Sequence, residues 1–194
     1  MKTLALLAPL LFATPALANS WCDELWFSRN LVMHNAGYCF GSTLGKTYFG
    51  TGPCIGKSVS PDRDGQRLVA RIQKMEAESS CKGRVNTRGT YLDVRDIGIR
   101  MQLNDLPVAA DQPAACVGWR GPRLALFAGK RIDDHPLGEI QHGDAISYDH
   151  QAEDGWVYVT AHDYDGQSGP WSLKSGGWIP ENQIRAADCD YTLP

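Results

Sequence analysis

The chain has 194 residues, with 19 Lys and Arg against 22 Asp and Glu, and a net charge of −3 at pH 7. That balance excludes the basic surface that phosphate binding requires, and with it nucleic acid as a partner. It also excludes electrostatic attachment to anionic lipid, and the length suits one medium domain or two small ones.

The first 18 residues read as a secretory signal peptide. Lys2 supplies the positive start, Leu4 to Phe12 is apolar apart from Pro9, and Ala16-Leu17-Ala18 offers a small-residue cleavage site. The apolar run falls short of the roughly 20 residues that a spanning helix needs. Cleavage would leave Asn19 first. Trp21 before Cys22 does not fit a lipid-anchored cysteine, and no later segment reads as a membrane anchor. The expectation is a soluble periplasmic or secreted protein.

Residues 20–36 read as a helix. Ser20 is its expected cap, with Asp23 at capping-box spacing and Leu25, Trp26, Arg29, Val32 and Met33 as the stripe. Gly37 fits a left-handed helix end. Arg29 and Asn30 are expected to bond the loop that follows. A short second helix over 42–49 starts at Ser42. A third, over 62–80, starts at Asp62 or Asp64 and repeats Leu68, Val69, Ile72 and Met75 at helical spacing. Its other face alternates Arg and Lys with Glu, as a solvated surface does. From residue 82 glycine, proline and aromatics become frequent. Tyr91–Val94 and Ile97–Met101 read as a strand pair, and 104–115, with two prolines and no period, as a linker.

Residues 117–187 show short strands between turn signals. The expected strands are Arg123–Ala128, Gly138–Ile140, Ala145–Asp149, Trp156–Ala161 and Gly177–Ile179. Gly143-Asp144, Asp154-Gly155, Asp165-Gly166 and Gly176-Gly177 mark the corners.

All six cysteines follow the signal segment, and an even count in an exported chain reads as a disulfide framework. Sequence alone does not choose among the pairings. The domain-respecting one joins Cys116 to Cys189 and, within the first four, Cys39 to Cys54 and Cys22 to Cys81. No C-x-x-C or zinc spacing competes with it.

Two stretches carry a family resemblance. Glu24-Leu25-Trp26-Phe27, Arg29-Asn30, Gly37-Tyr38-Cys39-Phe40, Leu44 and Tyr48-Phe49 are similar to the YARHG domain of exported bacterial proteins. Met33-His34-Asn35-Ala36 depart from its name-giving core. Leu124–Phe127, Gly138-Glu139-Ile140, Gly143-Asp144, Gly155-Trp156-Val157-Tyr158-Val159 and Gly177-Trp178-Ile179-Pro180 resemble a bacterial Src-homology-3-like domain. That likeness implies a five-stranded barrel that binds peptides or cell-wall components, usually without catalysis. The expected fold is therefore α+β, a small disulfide-stapled helical domain followed by a Src-homology-3-like β-barrel. Residues 1–18 are the signal, 19–82 the helical domain, 83–115 the strand pair and linker, and 116–189 the barrel.

Little in the sequence carries chemistry. His34, His135, His142, His150 and His162 form no metal or protease spacing and read as surface or turn residues. His162-Asp163-Tyr164-Asp165 reads as a hairpin tip. The pairs Asp133-Asp134 and Glu153-Asp154 read as solvated turn acids. No nucleophile elbow, phosphate loop or dinucleotide fingerprint occurs, and no cofactor or metal is expected. The aromatics are the better lead, because flat rings bring large contact area at small entropy cost. Trp156 and Trp178 sit where the family packs inward. Tyr148, Tyr164 and Trp171 are the expected ligand-binding residues, the last two bracketing the polar loop Asp165–Pro170. The expected function is a non-catalytic envelope protein binding a peptide or peptidoglycan component. The alternatives are a small cell-wall hydrolase dependent on His34 or Arg29, and an inhibitor or partner-binding protein. The sequence does not set the oligomeric state.

Overall fold

The computed structural model describes residues 17–50, 53–166 and 171–194. The expected signal peptide falls mainly on residues 1–16, outside the described residues. Helix α1 spans Leu17–Asn35, α2 Thr43–Phe49 and α3 Arg63–Glu78. Two of them start at side-chain caps. The Ser42 hydroxyl accepts from the Gly45 N–H at 3.1 Å, and the Asp62 carboxylate from the Gly65 N–H at 2.7 Å.

The expected cap of α1 is corrected. The helix begins at Leu17, so Ser20 lies inside it, and the Asp23 carboxylate accepts the Asp93 N–H instead. Nor is α1 a one-sided stripe. Leu25, Trp26, Phe27, Ser28, Asn30, Leu31 and Val32 are all buried, as in a helix packed on several sides. One side packs Cys22 and Leu25 against Ile72, Cys81 and Ala109. Another packs Trp26, Phe27 and Leu31 against Leu44, Phe49 and Leu92. There Phe40, Phe49 and Phe27 stack in turn, with centroids 4.6 and 5.8 Å apart. Arg29 and Asn30 do not bond the following loop. Arg29 pairs with Glu76 of α3, and the Asn30 amide donates to the Trp26 carbonyl one turn back.

The expected strand pair at 91–101 is also corrected. Residues 91–94 have no strand partner; Leu92 drops into the helical core and its N–H donates to the Tyr48 hydroxyl. Ile97–Arg100 is a single helical turn, α4. The linker at 104–115 ends early, because β1 runs over Ala109–Trp119. Pro113 falls in the register shift between Ala109 and Ala114, which lets a proline sit within a paired strand.

The other strands are β2 Leu124–Phe127, β3 Pro136–Ile140, β4 Ala145–His150, β5 Trp156–Asp163, β6 Ser172–Pro180 and β7 Cys189–Leu193. They form one antiparallel sheet of order β3-β2-β6-β5-β4-β1-β7. The expected barrel is thus corrected: the sheet does not close, and β3 and β7 are its edges. All five expected strands are present, while β1 and β7 are additional. Gly176-Gly177 is no corner but lies inside β6, where a Cβ on Gly177 would stand 2.8 Å from the Phe127 carbonyl of β2. Val157, Val159 and Ala161 of β5 face a core with Trp119, Leu126, Ile140, Ile146 and Ile179. Trp156 and Tyr158 face the other side, with Trp178 and Leu103.

Three disulfides join Cys22 to Cys81, Cys39 to Cys54 and Cys116 to Cys189, and no cysteine is free. The last closes a separation of 73 residues between β1 and β7.

Candidate binding site

The helices and the sheet meet at a buried ionic knot centred on Arg100, which is 1% exposed. Asp96 immediately precedes α4 and stands four residues before Arg100 at its end; Glu24 and Ser28 share one face of α1. Arg100 Nη1 donates to a Glu24 carboxylate oxygen and lies 3.2 Å from His150 Nε2, while Nη2 donates to the Ser28 hydroxyl at 2.8 Å. Its guanidinium lies over the Phe27 ring at 4.7 Å. Asp96 stands 3.8 Å from Nη1 and accepts the Tyr158 phenol at 2.8 Å. Burial alone would raise the Glu24 carboxyl, but Arg100 and His150 outweigh it and hold it at about 2. Burial and then Asp96 push the Tyr158 phenol well up. The pairing compensates the buried charges and docks the two halves; it is a structural knot.

From that knot the chain crosses the aromatic face of the sheet. Ile99, Leu103 and Leu106 pack on Tyr158 and Trp178, and the Trp178 indole donates to the Asp105 carbonyl at 2.7 Å. Trp178 is fully buried and Trp156 half-buried. The aromatic face of the sheet is therefore filled by residues 96–106 of the same chain.

Aromatic surface remains at another place. The connection after β5 carries Tyr164 and Trp171 to Tyr191 on the edge strand β7. The Tyr164 and Trp171 rings meet edge-on at 5.8 Å, and Tyr164 and Tyr191 at 6.5 Å, with their hydroxyls 3.4 Å apart. Tyr164 and Trp171 are half-buried and Tyr191 is exposed. Burial in a core does not account for this ledge. Among the described residues the β7 edge beside it pairs only with β1, and of its main-chain groups the Cys189 carbonyl already accepts Arg120 Nη2 at 2.8 Å.

Of the three sequence-expected ligand residues, the structure brings Tyr164 and Trp171 together. Tyr148 packs against the sheet core, and burial pushes its phenol up to about 12. Tyr191 was missed because β7 was missed; its alternation with Cys189 along a short strand was the available signal. Residues 167–170 of the expected loop lie outside the described residues.

A cleft of about 730 Å³ opens between α3 and the sheet, lined among others by Leu68, Arg71, Leu106, Lys130, Glu153 and Asp154. Its basic groups are engaged: Arg71 and Lys130 both pair with Glu153, at 3.1 and 3.2 Å. Glu153 is thus no free turn acid but ties α3 to the β4–β5 hairpin. That hairpin turns on Asp154 and Gly155, both at positive φ, as two-residue turns demand.

The surface reading fails for two histidines. His150 is in the knot, and His162 is 5% exposed, 2.9 Å from the Thr160 hydroxyl, with burial lowering its imidazole pKa. His162 and Asp163 belong to β5 and not to a hairpin tip. His34 stacks on Phe49 at 5.2 Å, whereas Arg29 is ion-paired with Glu76, so the structure places these two residues in separate contacts.

Residues 80–193 match the model of a family described as a domain of unknown function (DUF4453), and residues 2–77 match that of the YARHG domain. No curated protein and no solved structure matches the chain.

Proposed function

Since the chain belongs to the DUF4453 family and carries a YARHG domain ahead of it, we propose that it is a non-catalytic protein of the bacterial cell envelope that binds an extended peptide, such as a peptidoglycan stem. In this reading the sheet unit is a Src-homology-3-like module. Its familiar aromatic face is filled from within, and the binding role has moved to the ledge. The observation that carries the reading is the packing of Tyr164, Trp171 and Tyr191 beside the free edge of β7. An extended peptide can add to such an edge through main-chain hydrogen bonds while its side chains rest on the rings. Three disulfides support assembly in an oxidising compartment. Among the described residues, no helix is long and apolar enough to cross a membrane.

Retention on purified sacculi tests it. Wild-type protein is retained, and Trp171→Ala and Tyr191→Ala lose most of that retention while near-ultraviolet dichroism shows both variants folded. Unretained wild type, or variants retained equally well, would overturn the reading.

A further inference from the structure

We propose that the groove along α3 binds a neutral oligosaccharide, at a site separate from the β7 ledge. The cleft of about 730 Å³ does not end at Arg71. A second hollow of about 490 Å³ begins there and follows the helix past Met75 to Glu78 and Ser79. Leu68, Arg71, Met75 and Glu78 stand three and four residues apart, so one face of α3 forms one wall throughout. Asp111, Gln151 and Glu153 belong to the facing wall. Arg71 makes the waist between the two hollows. Its Nη1 donates to Glu153 at 3.1 Å and its Nη2 to the Gln151 side-chain oxygen. The helix has 16 residues and runs about 24 Å, room for a chain of several sugar rings.

The chemistry along the groove favours hydroxyls over ions. Among the described residues acids outnumber cations there, seven to four. Each cation is held by an acid: Arg67 by Asp64, Lys74 by Glu78, and Arg71 and Lys130 both by Glu153. An anionic ligand would have to displace a protein carboxylate. The acids are engaged in turn, for Asp62 also accepts the Gly65 N–H and Asp105 the Lys130 N–H. Paired carboxylates and guanidinium groups keep further acceptor and donor positions. A hydroxyl both accepts and donates, so it uses either kind without breaking a pair. A sugar ring also has an apolar C–H face, and each hollow has an apolar patch for it. Leu68 and Leu106 line the first, and Trp21 and Met75 the second. Trp21 is half-buried, and its indole donates to the Ser79 hydroxyl at 2.9 Å, which fixes the ring beside the hollow. An extended peptide calls for a strand edge along its length, whereas one whole wall here is a helix face.

The test is calorimetric titration of the full mature protein with N-acetylchitotetraose. Tetragalacturonate is the anionic comparison, and the deacetylated, protonated tetramer the cationic one. The neutral tetramer is expected to bind about tenfold more tightly than either. Trp21→Ala should weaken it about tenfold, the scale of a lost aromatic contact, while Trp171→Ala on the ledge should bind it as wild type does. Trp21 also packs beside Cys22 and Leu25, so a second readout keeps the wild-type fold. The Trp21 indole resonance, assigned by its absence in Trp21→Phe, should shift during nuclear magnetic resonance titration with the tetramer. No binding at millimolar tetramer, a charged analogue that binds as tightly, or an unmoved Trp21 resonance would each overturn the proposal. Loss of binding in Trp171→Ala would do so as well, and so would a blocked penta-alanine that shifts the Trp21 resonance at lower concentration than the sugar.

Discussion

The indole of Trp178 donates to the carbonyl of Asp105 at 2.7 Å. This bond fastens residues 96–106 across the sheet, beneath Ile99, Leu103 and Leu106, and it turns a potential groove into an internal interface. Lys130 reinforces the arrangement. Its N–H donates to the Asp105 carboxylate at 2.7 Å, and its ammonium sits 5.5 Å from the Trp178 ring.

Trp178→Phe keeps the ring packing but removes that donor. The Asp105 carbonyl is then left without it in a partly buried setting, which costs about 1–3 kcal/mol. Urea unfolding measures the loss. Amide hydrogen exchange should show the largest rise over residues 96–106, with α3 little changed.

Arg100→Met leaves Glu24 and Asp96 without their shared cation in the interior. A broken buried pair costs about 3–5 kcal/mol, more than removing most surface pairs. Arg100→Lys does not rescue it, because one ammonium cannot reach Glu24, Ser28 and the Phe27 ring with the geometry of a planar guanidinium. The control is Arg67→Ala, whose pair with Asp64 is exposed; its unfolding midpoint should stay close to wild type.

Glu24 also sets an acid limit. Its folded carboxyl titrates at about 2, below the ordinary 4.5. A depressed folded value means that the stabilisation is complete above the unfolded value and fades as pH falls from about 4.5 toward 2. The linked amount is on the order of 3 kcal/mol. Unfolding free energy measured between pH 6 and pH 2.5 should fall steeply in wild type. Glu24→Gln should start lower at pH 6 and show a flatter decline.

Parts of this fold could be read from local chemistry. Ser42 and Asp62 announce α2 and α3 because a capping oxygen acts within three residues of itself. Trp156 to Ala161 alternates as a two-faced strand must. The hidden elements depend on distant partners. Pro107 and Pro113 disguise β1, which is held by β4 and β7 across long separations. Strand β7 is almost all polar or exposed and is marked mainly by Cys189. The Arg100 knot draws on residues 24, 28, 96, 100, 150 and 158, so no window of sequence contains it. Tyr164 and Trp171 were visible as rings bracketing a polar loop, but the Tyr191 that completes their ledge was hidden with β7.

Gly118 links the sheet to the ledge. It holds φ at +68°, and a Cβ there would stand 2.2 Å from an Asp190 carboxylate oxygen. Gly118→Ala therefore combines a left-handed backbone penalty of about 1–2 kcal/mol with displacement of Asp190 from its place on β7 against β1. The denaturation midpoint in urea should fall. Asp190→Asn at an intact Gly118 loses only a pair with Arg120 that is more than half exposed on both sides, so its midpoint should stay close to wild type, which separates the carboxylate's charge from the backbone that seats it.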